Sequence, residues 1–99
     1  MPSNKTPPVF FYTYVLQSYK DDKQYIGYTT NLNRRIEEHQ KGKSFATKFR
    51  LPFQLIYCEA CLNMLDAKQR EKYLKTTSGR RFMAKRLRYF RHDYPWHLD

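Results

Sequence analysis

Two runs of strand-forming residues near the start of the chain constrain its fold more than any other feature. Residues 9–17 are rich in aromatic and β-branched side chains, and a second such run, residues 24–29, follows after a polar segment. Apolar side chains of the first run occupy both sets of alternating positions, which predicts a central strand covered on both faces. We expect the two runs to pair as an antiparallel hairpin.

Tyr14 and Tyr25 fall one in each predicted strand. A register that places Tyr14 opposite Tyr25 puts both rings on one face, because side chains alternate along a strand. This register leaves Ser18 to Asp21 for the turn, which is a common hairpin length. Gly27 in the second strand indicates close approach of another group, such as a ligand backbone.

A helix is predicted after the second strand, with Thr30 or Asn31 as its N-terminal cap. Its buried stripe consists of three residues at helical spacing, Leu32, Ile36 and His39. Arg35 lies one turn before His39, so the two side chains share one side of the helix. Two phenols, a guanidinium and an imidazole therefore converge, which makes this region a candidate site for phosphate chemistry.

The remaining segments complete an α+β pattern of the order ββαβαα. A basic loop over 43–50 precedes a third strand over 52–59, in which Phe53, Leu55 and Tyr57 alternate. Helices are predicted over 62–76 and 80–90, with residues 77–79 breaking the chain between them. We expect a small three-stranded antiparallel sheet flanked by helices.

The domain prediction places one folded unit over residues 9–91, between a flexible tail (1–8) and a C-terminal tail (92–99). No run of eighteen apolar residues is present, so no transmembrane helix is predicted. The first eight residues are polar and contain prolines, unlike a signal peptide. We expect a cytoplasmic, monomeric protein without membrane contacts.

Charge indicates the kind of partner. The 99 residues include 19 Lys and Arg against 9 Asp and Glu, a formal net charge of +10. Such a balance suits a polyanion, most simply nucleic acid, although a merely soluble basic protein would share it.

Glu71 stands out in the second predicted helix because it falls on a stripe with Met64, Ala67 and Leu74. A carboxylate on an apolar face is costly unless it is paired or bound to a metal. Two interpretations follow from its position alone: a buried salt bridge to Arg35 or another basic residue, or a metal ligand.

Four motifs in order resemble the GIY-YIG nuclease domain. Tyr12-Thr13-Tyr14 stands where that family has Gly-Ile-Tyr, with Tyr12 replacing the glycine, and Tyr25-Ile26-Gly27 matches Tyr-Ile-Gly. Residues 31–39 resemble the helix with the family's catalytic arginine, and residues 67–74 resemble the helix with its metal-binding glutamate. The resemblance covers residues 9–90 and extends to the small stand-alone branch related to the nuclease domain of the excision-repair protein UvrC.

The resemblance implies a divalent-metal-dependent endonuclease in which Glu71 holds Mg²⁺ or Mn²⁺. It implies that Tyr14 helps to deprotonate the attacking water, that Tyr25 orients water or phosphate, and that Arg35 clamps the scissile phosphate. His39 would act as a base or bind phosphate. Without the resemblance, the tyrosines read as core aromatics and the histidine as a structural residue, and the sequence does not decide which group is the general base.

The implied partner is DNA, single-stranded, duplex or branched. Basic residues flanking the motifs are predicted to bind its backbone phosphates: Arg34, Lys41, Lys43, Lys48, Arg50, Arg70, Lys75, Arg80 and Arg81. Phe45, Phe49 and Tyr28 either stack on bases or belong to the core, and we expect the core. The rival hypothesis is a basic module that binds nucleic acid without cutting it.

Overall fold

The computed structural model describes residues 8–93 and confirms the α+β class. Three strands form one antiparallel sheet in the order β2-β1-β3. The elements are β1 Phe11–Ser18, β2 Gln24–Thr29, α1 Leu32–Gln40, a 3₁₀ turn Lys48–Arg50, β3 Phe53–Cys61, α2 Met64–Leu74, α3 Thr77–Arg86 and α4 Arg88–Asp93. The predicted order ββαβαα is therefore correct, and the short helix α4 follows it.

β1 is the central strand and is covered on both faces, as its sequence predicted. One face, which we call the apolar face, is a cluster of aliphatic side chains with α2 and α3 packed on it: Val15, Ile26, Leu74 and Met83. The opposite face, which we call the aromatic face, carries Tyr14, Leu16 and Phe53, with Leu32 and Ile36 of α1 against them. Alternate residues of β1 thus contribute side chains to two separate cores.

The predicted hairpin register is wrong by two residues. Tyr14 lies opposite Gly27, and Tyr25 lies opposite Leu16. A longer turn causes the shift: the Ser18 N–H donates to the Lys23 carbonyl at 2.9 Å. A shift of two residues preserves which side chains share a face, so both tyrosines still lie on the aromatic face.

An irregularity in β3 breaks the predicted alternation of Phe53, Leu55 and Tyr57. Val15 pairs with Tyr57, whereas the next residue of β1 pairs with Leu55, so Ile56 is an extra residue. Such a bulge moves the following side chains to the other face. Phe53 and Leu55 remain on the aromatic face, and Tyr57 packs on the apolar face.

The helix boundaries follow from capping side chains. Asn31 accepts the Arg34 N–H at 3.1 Å and caps α1, which settles the two candidates for that cap. Thr76 accepts the N–H of Gly79 at 3.1 Å and caps α3. The predicted break over residues 77–79 is wrong, because these residues form the first turn of α3.

Gly79 is required by close packing between two helices. A Cβ added to it would lie 2.1 Å from the carbonyl oxygen of Tyr73 at the end of α2. A glycine at this position therefore lets α3 turn back directly against α2.

The two predicted tails lie mostly outside the described residues, which exclude 1–7 and 94–99. His92 and Asp93 end α4. Within residues 8–93 no helix is long and apolar enough to cross a membrane.

Candidate active site

A chain of buried hydrogen bonds links β1, α1 and the loop that follows α1. The Tyr14 hydroxyl lies 2.9 Å from Nε2 of His39, and Nδ1 of His39 lies 2.7 Å from Oγ1 of Thr47. All three residues are fully buried. Thr47 could not be identified from the sequence, because a single threonine in a basic loop carries no signal of periodicity or motif.

The Tyr14 ring lies directly over Gly27 of the neighbouring strand. A Cβ at position 27 would lie 2.4 Å from the phenol oxygen of Tyr14. Close approach at this glycine was predicted correctly, but the approaching group is the protein's own phenol rather than a ligand backbone.

Tyr25 completes an aromatic cluster with these residues. Its ring centroid lies 6.3 Å from that of Tyr14 and 5.1 Å from that of His39. Tyr25 is half-buried, so it is the tyrosine of the pair that reaches the surface.

Arg35 lies at the mouth of this cluster. Its side chain is 33% exposed, and its Nη1 donates to the Glu38 carboxylate at 3.0 Å. The guanidinium also approaches the Tyr14 phenol closely enough to favour ionisation of that phenol. Arg35 can therefore meet an incoming phosphate while it contacts the buried phenol.

Burial sets the protonation states of the site. The pKa of His39 falls from 6.5 to about 4, first because of desolvation and then because of the nearby Arg35 charge. The imidazole is therefore neutral at pH 7, with one ring nitrogen donating and the other accepting. Burial also raises the pKa of Tyr14 above its ordinary value, an effect that Arg35 opposes.

Glu71 lies on α2 with its side chain 24% exposed and its Oε2 3.1 Å from Nζ of Lys75. Burial is the main cause of the raised pKa of Tyr14, and the negative charge of Glu71 adds a small contribution to it. The predicted stripe is only partly correct: Ala67 and Leu74 are buried, but Met64 is exposed. Of the two interpretations of its position, the buried salt bridge is not observed, because the pair with Lys75 is partly exposed.

Within residues 8–93, no three His, Cys, Asp or Glu side chains form a cluster that could hold a metal ion. A cation that takes a single protein carboxylate and fills its other positions with water and phosphate oxygens remains compatible with Glu71. The carboxylate fits such an ion because it is partly exposed.

The nine basic residues predicted to bind phosphate differ in their surroundings. Arg50 pairs with Asp21 at 3.2 Å. Arg70 pairs with Glu59 at 3.0 Å and lies over the Phe82 ring at 4.3 Å, which favours a structural role. The others are exposed side chains: Arg34, Lys41, Lys43, Lys48, Lys75, Arg80 and Arg81.

Phe45 and Phe49 are not core residues, contrary to the sequence-based expectation. They are 80% and 69% exposed. Tyr28 is half-buried and stacks on Phe11 with ring centroids 6.4 Å apart. The structure thus separates Tyr28 from the two exposed phenylalanines.

The chain is similar to several known proteins. Residues 10–96 match the family model of the GIY-YIG catalytic domain. A UPF0213 protein of Pediococcus pentosaceus is 47% identical over 66 residues, which are 66% of this chain and 68% of that protein. A UPF0213 protein of Streptococcus pneumoniae is 42% identical over 65% of each chain.

A solved structure is also similar. The solution NMR structure of a UPF0213 protein of Bacillus halodurans matches with a TM-score of 0.49 and 32% identity, covering 77% of this chain and 83% of that one. The family-model match includes Tyr14, Tyr25, Arg35, His39 and Glu71. The chain therefore belongs to the GIY-YIG family of nuclease domains.

Proposed function

We propose that the protein is a divalent-metal-dependent endonuclease that hydrolyses DNA phosphodiester bonds and leaves 5′-phosphate and 3′-hydroxyl ends. Four side chains that lie together, with a partly exposed carboxylate on α2, carry this proposal. They are Tyr14 of β1, Tyr25 of β2, Arg35 and His39 of α1, and Glu71 of α2. These are the residue types that clamp a phosphate, move a proton and hold a cation.

Arg35 binds the scissile phosphate in this proposal. Its planar guanidinium can donate two parallel hydrogen bonds to phosphate oxygens and offset the charge that develops on them. Its partial exposure and its position beside Tyr14 support the role, because one side chain can then touch both the substrate and the catalytic phenol.

Tyr14 is the proposed proton acceptor. The Tyr14 phenol first loses its proton to solvent. Water then attacks phosphorus in line, the bond from phosphorus to O3′ breaks, the water proton passes to the phenolate oxygen, and the departing O3′ takes a proton from solvent. The raised pKa of Tyr14 keeps the phenol protonated at neutral pH, so the rate of cleavage should increase with pH. Tyr25, nearer the surface, orients the water or the phosphate.

His39 acts through Tyr14 rather than on the substrate. Both of its ring nitrogens have protein partners, the Tyr14 hydroxyl and Oγ1 of Thr47, so neither is left for water or phosphate. A direct role as base or phosphate ligand does not fit this position. We assign it as a positioning residue that holds the Tyr14 hydroxyl, and Thr47 in turn selects the orientation of the His39 ring.

Glu71 would hold the cation, Mg²⁺ or Mn²⁺. The bound ion would stabilise negative charge on the phosphate oxygens. The partly exposed carboxylate can exchange its contact with Lys75 for a cation, because that contact is a surface pair with little net stability.

The second candidate is a basic module that binds nucleic acid without cutting it, which the net charge of +10 alone would support. The two are separated by a cleavage assay on single-stranded, duplex and branched DNA, with Mg²⁺, with Mn²⁺ and with a chelator. Metal-dependent cutting supports the nuclease, and binding without cutting under every condition supports the module. Location in the cytoplasm and a monomeric state stay predictions.

The variant Glu71→Gln tests the metal ligand. It keeps the shape of the side chain but removes its charge, so cleavage should fall at least about a hundredfold while DNA binding persists. Glu37→Gln is the matched control, because Glu37 is an exposed glutamate of α1 paired with Lys41. Normal cleavage by Glu71→Gln in Mg²⁺ would show that Glu71 does not hold the cation.

A further inference from the structure

Two exposed aromatic rings in the loop after α1 are unexplained by the fold. We propose that Phe45, Lys48 and Phe49, which we call the aromatic platform, bind the bases of single-stranded DNA and direct it to the active site. This inference rests on the proposed nuclease function and adds the form of the substrate to it.

The geometry of the platform suits stacking. Nζ of Lys48 lies 4.9 Å from the ring centroid of Phe45 and 4.9 Å from that of Phe49, so the two rings are no further apart than twice that distance. The rings are 80% and 69% exposed. A pair of exposed rings sharing one cation presents aromatic surface and positive charge together, which are the two requirements of single-strand binding.

The backbone beneath the platform is firmly held. Ser44 and Thr47 are buried, and the Lys48 N–H donates to the Ser44 carbonyl at 2.9 Å. Lys20 donates its Nζ hydrogen to the Phe49 carbonyl at 3.0 Å, and the Ser18 hydroxyl donates to the Arg50 carbonyl at 2.6 Å. The small polar residues of the loop therefore face inward and the large rings face solvent, so little ordering entropy is lost on binding.

The same loop is joined to the catalytic group. Thr47, between Phe45 and Lys48 in the chain, contacts His39, and His39 contacts Tyr14. A strand stacked on the platform is thus held on an element whose position is fixed relative to the phenol. This connection distinguishes the platform from other exposed aromatics, such as Tyr89 on α4.

Charge and ring exposure together select the partner. The platform contains the exposed Lys48, and two more exposed lysines, Lys41 and Lys43, precede it in the chain; these charges suit a phosphate backbone. In an intact duplex the faces of the bases are already stacked on one another, so the two rings gain surface only from unpaired bases. Single-stranded DNA can contact both the exposed rings and the lysines, whereas duplex DNA can contact only the lysines favourably.

Fluorescence anisotropy with a labelled oligodeoxythymidine and a labelled blunt duplex, in chelator to prevent cleavage, tests the proposal. Phe45→Ala and Phe49→Ala should each weaken single-strand binding about 5- to 100-fold and leave duplex binding unchanged. Tyr89→Ala, the removal of an equally exposed ring elsewhere, should change neither. Leucine at position 45 or 49 should also weaken single-strand binding, because leucine keeps apolar bulk without a π-face.

Three outcomes would contradict the proposed role of the platform. They are an unchanged single-strand affinity when Phe45 and Phe49 are both replaced by alanine, equal losses of affinity for single-stranded and duplex DNA, or full single-strand affinity with leucine at position 45 or 49. A wild-type protein that binds neither form would contradict the proposed function itself. Lys48→Ala should lower the slope of log affinity against log salt by about 0.7 on the single strand. An unchanged slope would remove Lys48 from the platform.

Discussion

The two faces of the sheet are built from alternate residues of β1, yet they differ in chemistry. On the apolar face, Val15 packs against the buried side chains of Ile26, Leu74 and Met83. On the aromatic face, the neighbouring residue Tyr14 packs against the rings of Tyr25 and His39. Its hydroxyl and the His39 ring nitrogens are polar atoms buried there. One strand thus carries the packing that stabilises the domain on one side and the candidate chemistry on the other.

The difference also concerns specificity. Apolar contacts are non-directional and tolerate substitution by residues of similar volume. Buried polar groups are costly unless every one is hydrogen-bonded, and here Tyr14, His39 and Thr47 satisfy one another. The aromatic face should therefore be sensitive to the loss of single atoms, whereas the apolar face should be sensitive to the loss of volume.

Tyr14→Phe should have the largest effect, and it should fall on activity. It removes one oxygen and leaves Nε2 of buried His39 without that partner, so the free energy of unfolding should fall by about 1–3 kcal/mol. Single-turnover cleavage by the folded protein should fall roughly 10²–10⁴-fold. The increase of the cleavage rate with pH should be lost as well, because the raised pKa of Tyr14 causes it. Tyr57→Phe is the control on the apolar face, where the phenol contacts Glu59, and it should cut normally.

Combining Tyr14→Phe with Glu71→Gln sharpens the same test. If the two groups act as one unit, the double variant should lose much less than the sum of the two single losses in activation free energy. Full activity in Tyr14→Phe with an unchanged melting temperature would reduce Tyr14 to a core aromatic and direct attention to Tyr25.

Leu74→Ala should act on the opposite face and on stability. Leu74 is fully buried, so its truncation should lower the free energy of unfolding by about 2–5 kcal/mol, measured by urea denaturation. Cleavage per folded molecule should persist at low temperature. A specific loss of activity in fully folded protein would show that the two faces are not separable.

Acid should weaken the aromatic face selectively. The folded pKa of His39 is about 4 against 6.5 for the unfolded chain, so the unfolded state binds more protons between these values. The free energy of unfolding should fall as the pH is lowered from 6.5 to about 4, by up to about 3 kcal/mol from this residue. His39→Gln should show a smaller decrease over this range, and an equal decrease in both proteins would contradict the burial of a neutral imidazole.

Replacing Arg80 and Arg81 together with alanine should give the smallest effect. Both are exposed residues of α3, on the side of the sheet away from α1. If each contacts a phosphate, the salt dependence of DNA binding should flatten by up to about two units of slope. An unchanged slope would place nucleic-acid contacts on the side of α1 and the aromatic platform.

The sequence was sufficient for the fold class and for the residues of the aromatic cluster. The motif around Tyr14 and Tyr25 and the stripe that includes His39 identified side chains that the structure brings together. The hairpin register was wrong because it depends on the turn, where Asp22 adopts a positive φ of 58° that composition did not indicate.

Other features could not be predicted because they depend on contacts between residues that are far apart in the sequence. Thr47 becomes informative only once His39 is seen beside it. Phe45 and Phe49 resemble core residues in a composition-based reading, but their buried neighbours in the loop are Ser44 and Thr47. Gly79 resembles a helix breaker in the sequence. A glycine is needed at this position because the Tyr73 carbonyl of another helix lies too close for a Cβ.

The contact between Tyr14 and Gly27 has a consequence for how such sequences vary. Because any Cβ at position 27 would overlap the phenol of Tyr14, the two positions cannot change independently. A relative with a larger residue at the glycine position must have lost the phenol or turned it elsewhere. Covariation between these two alignment columns therefore distinguishes chains that keep this ring packing from chains that keep only the fold.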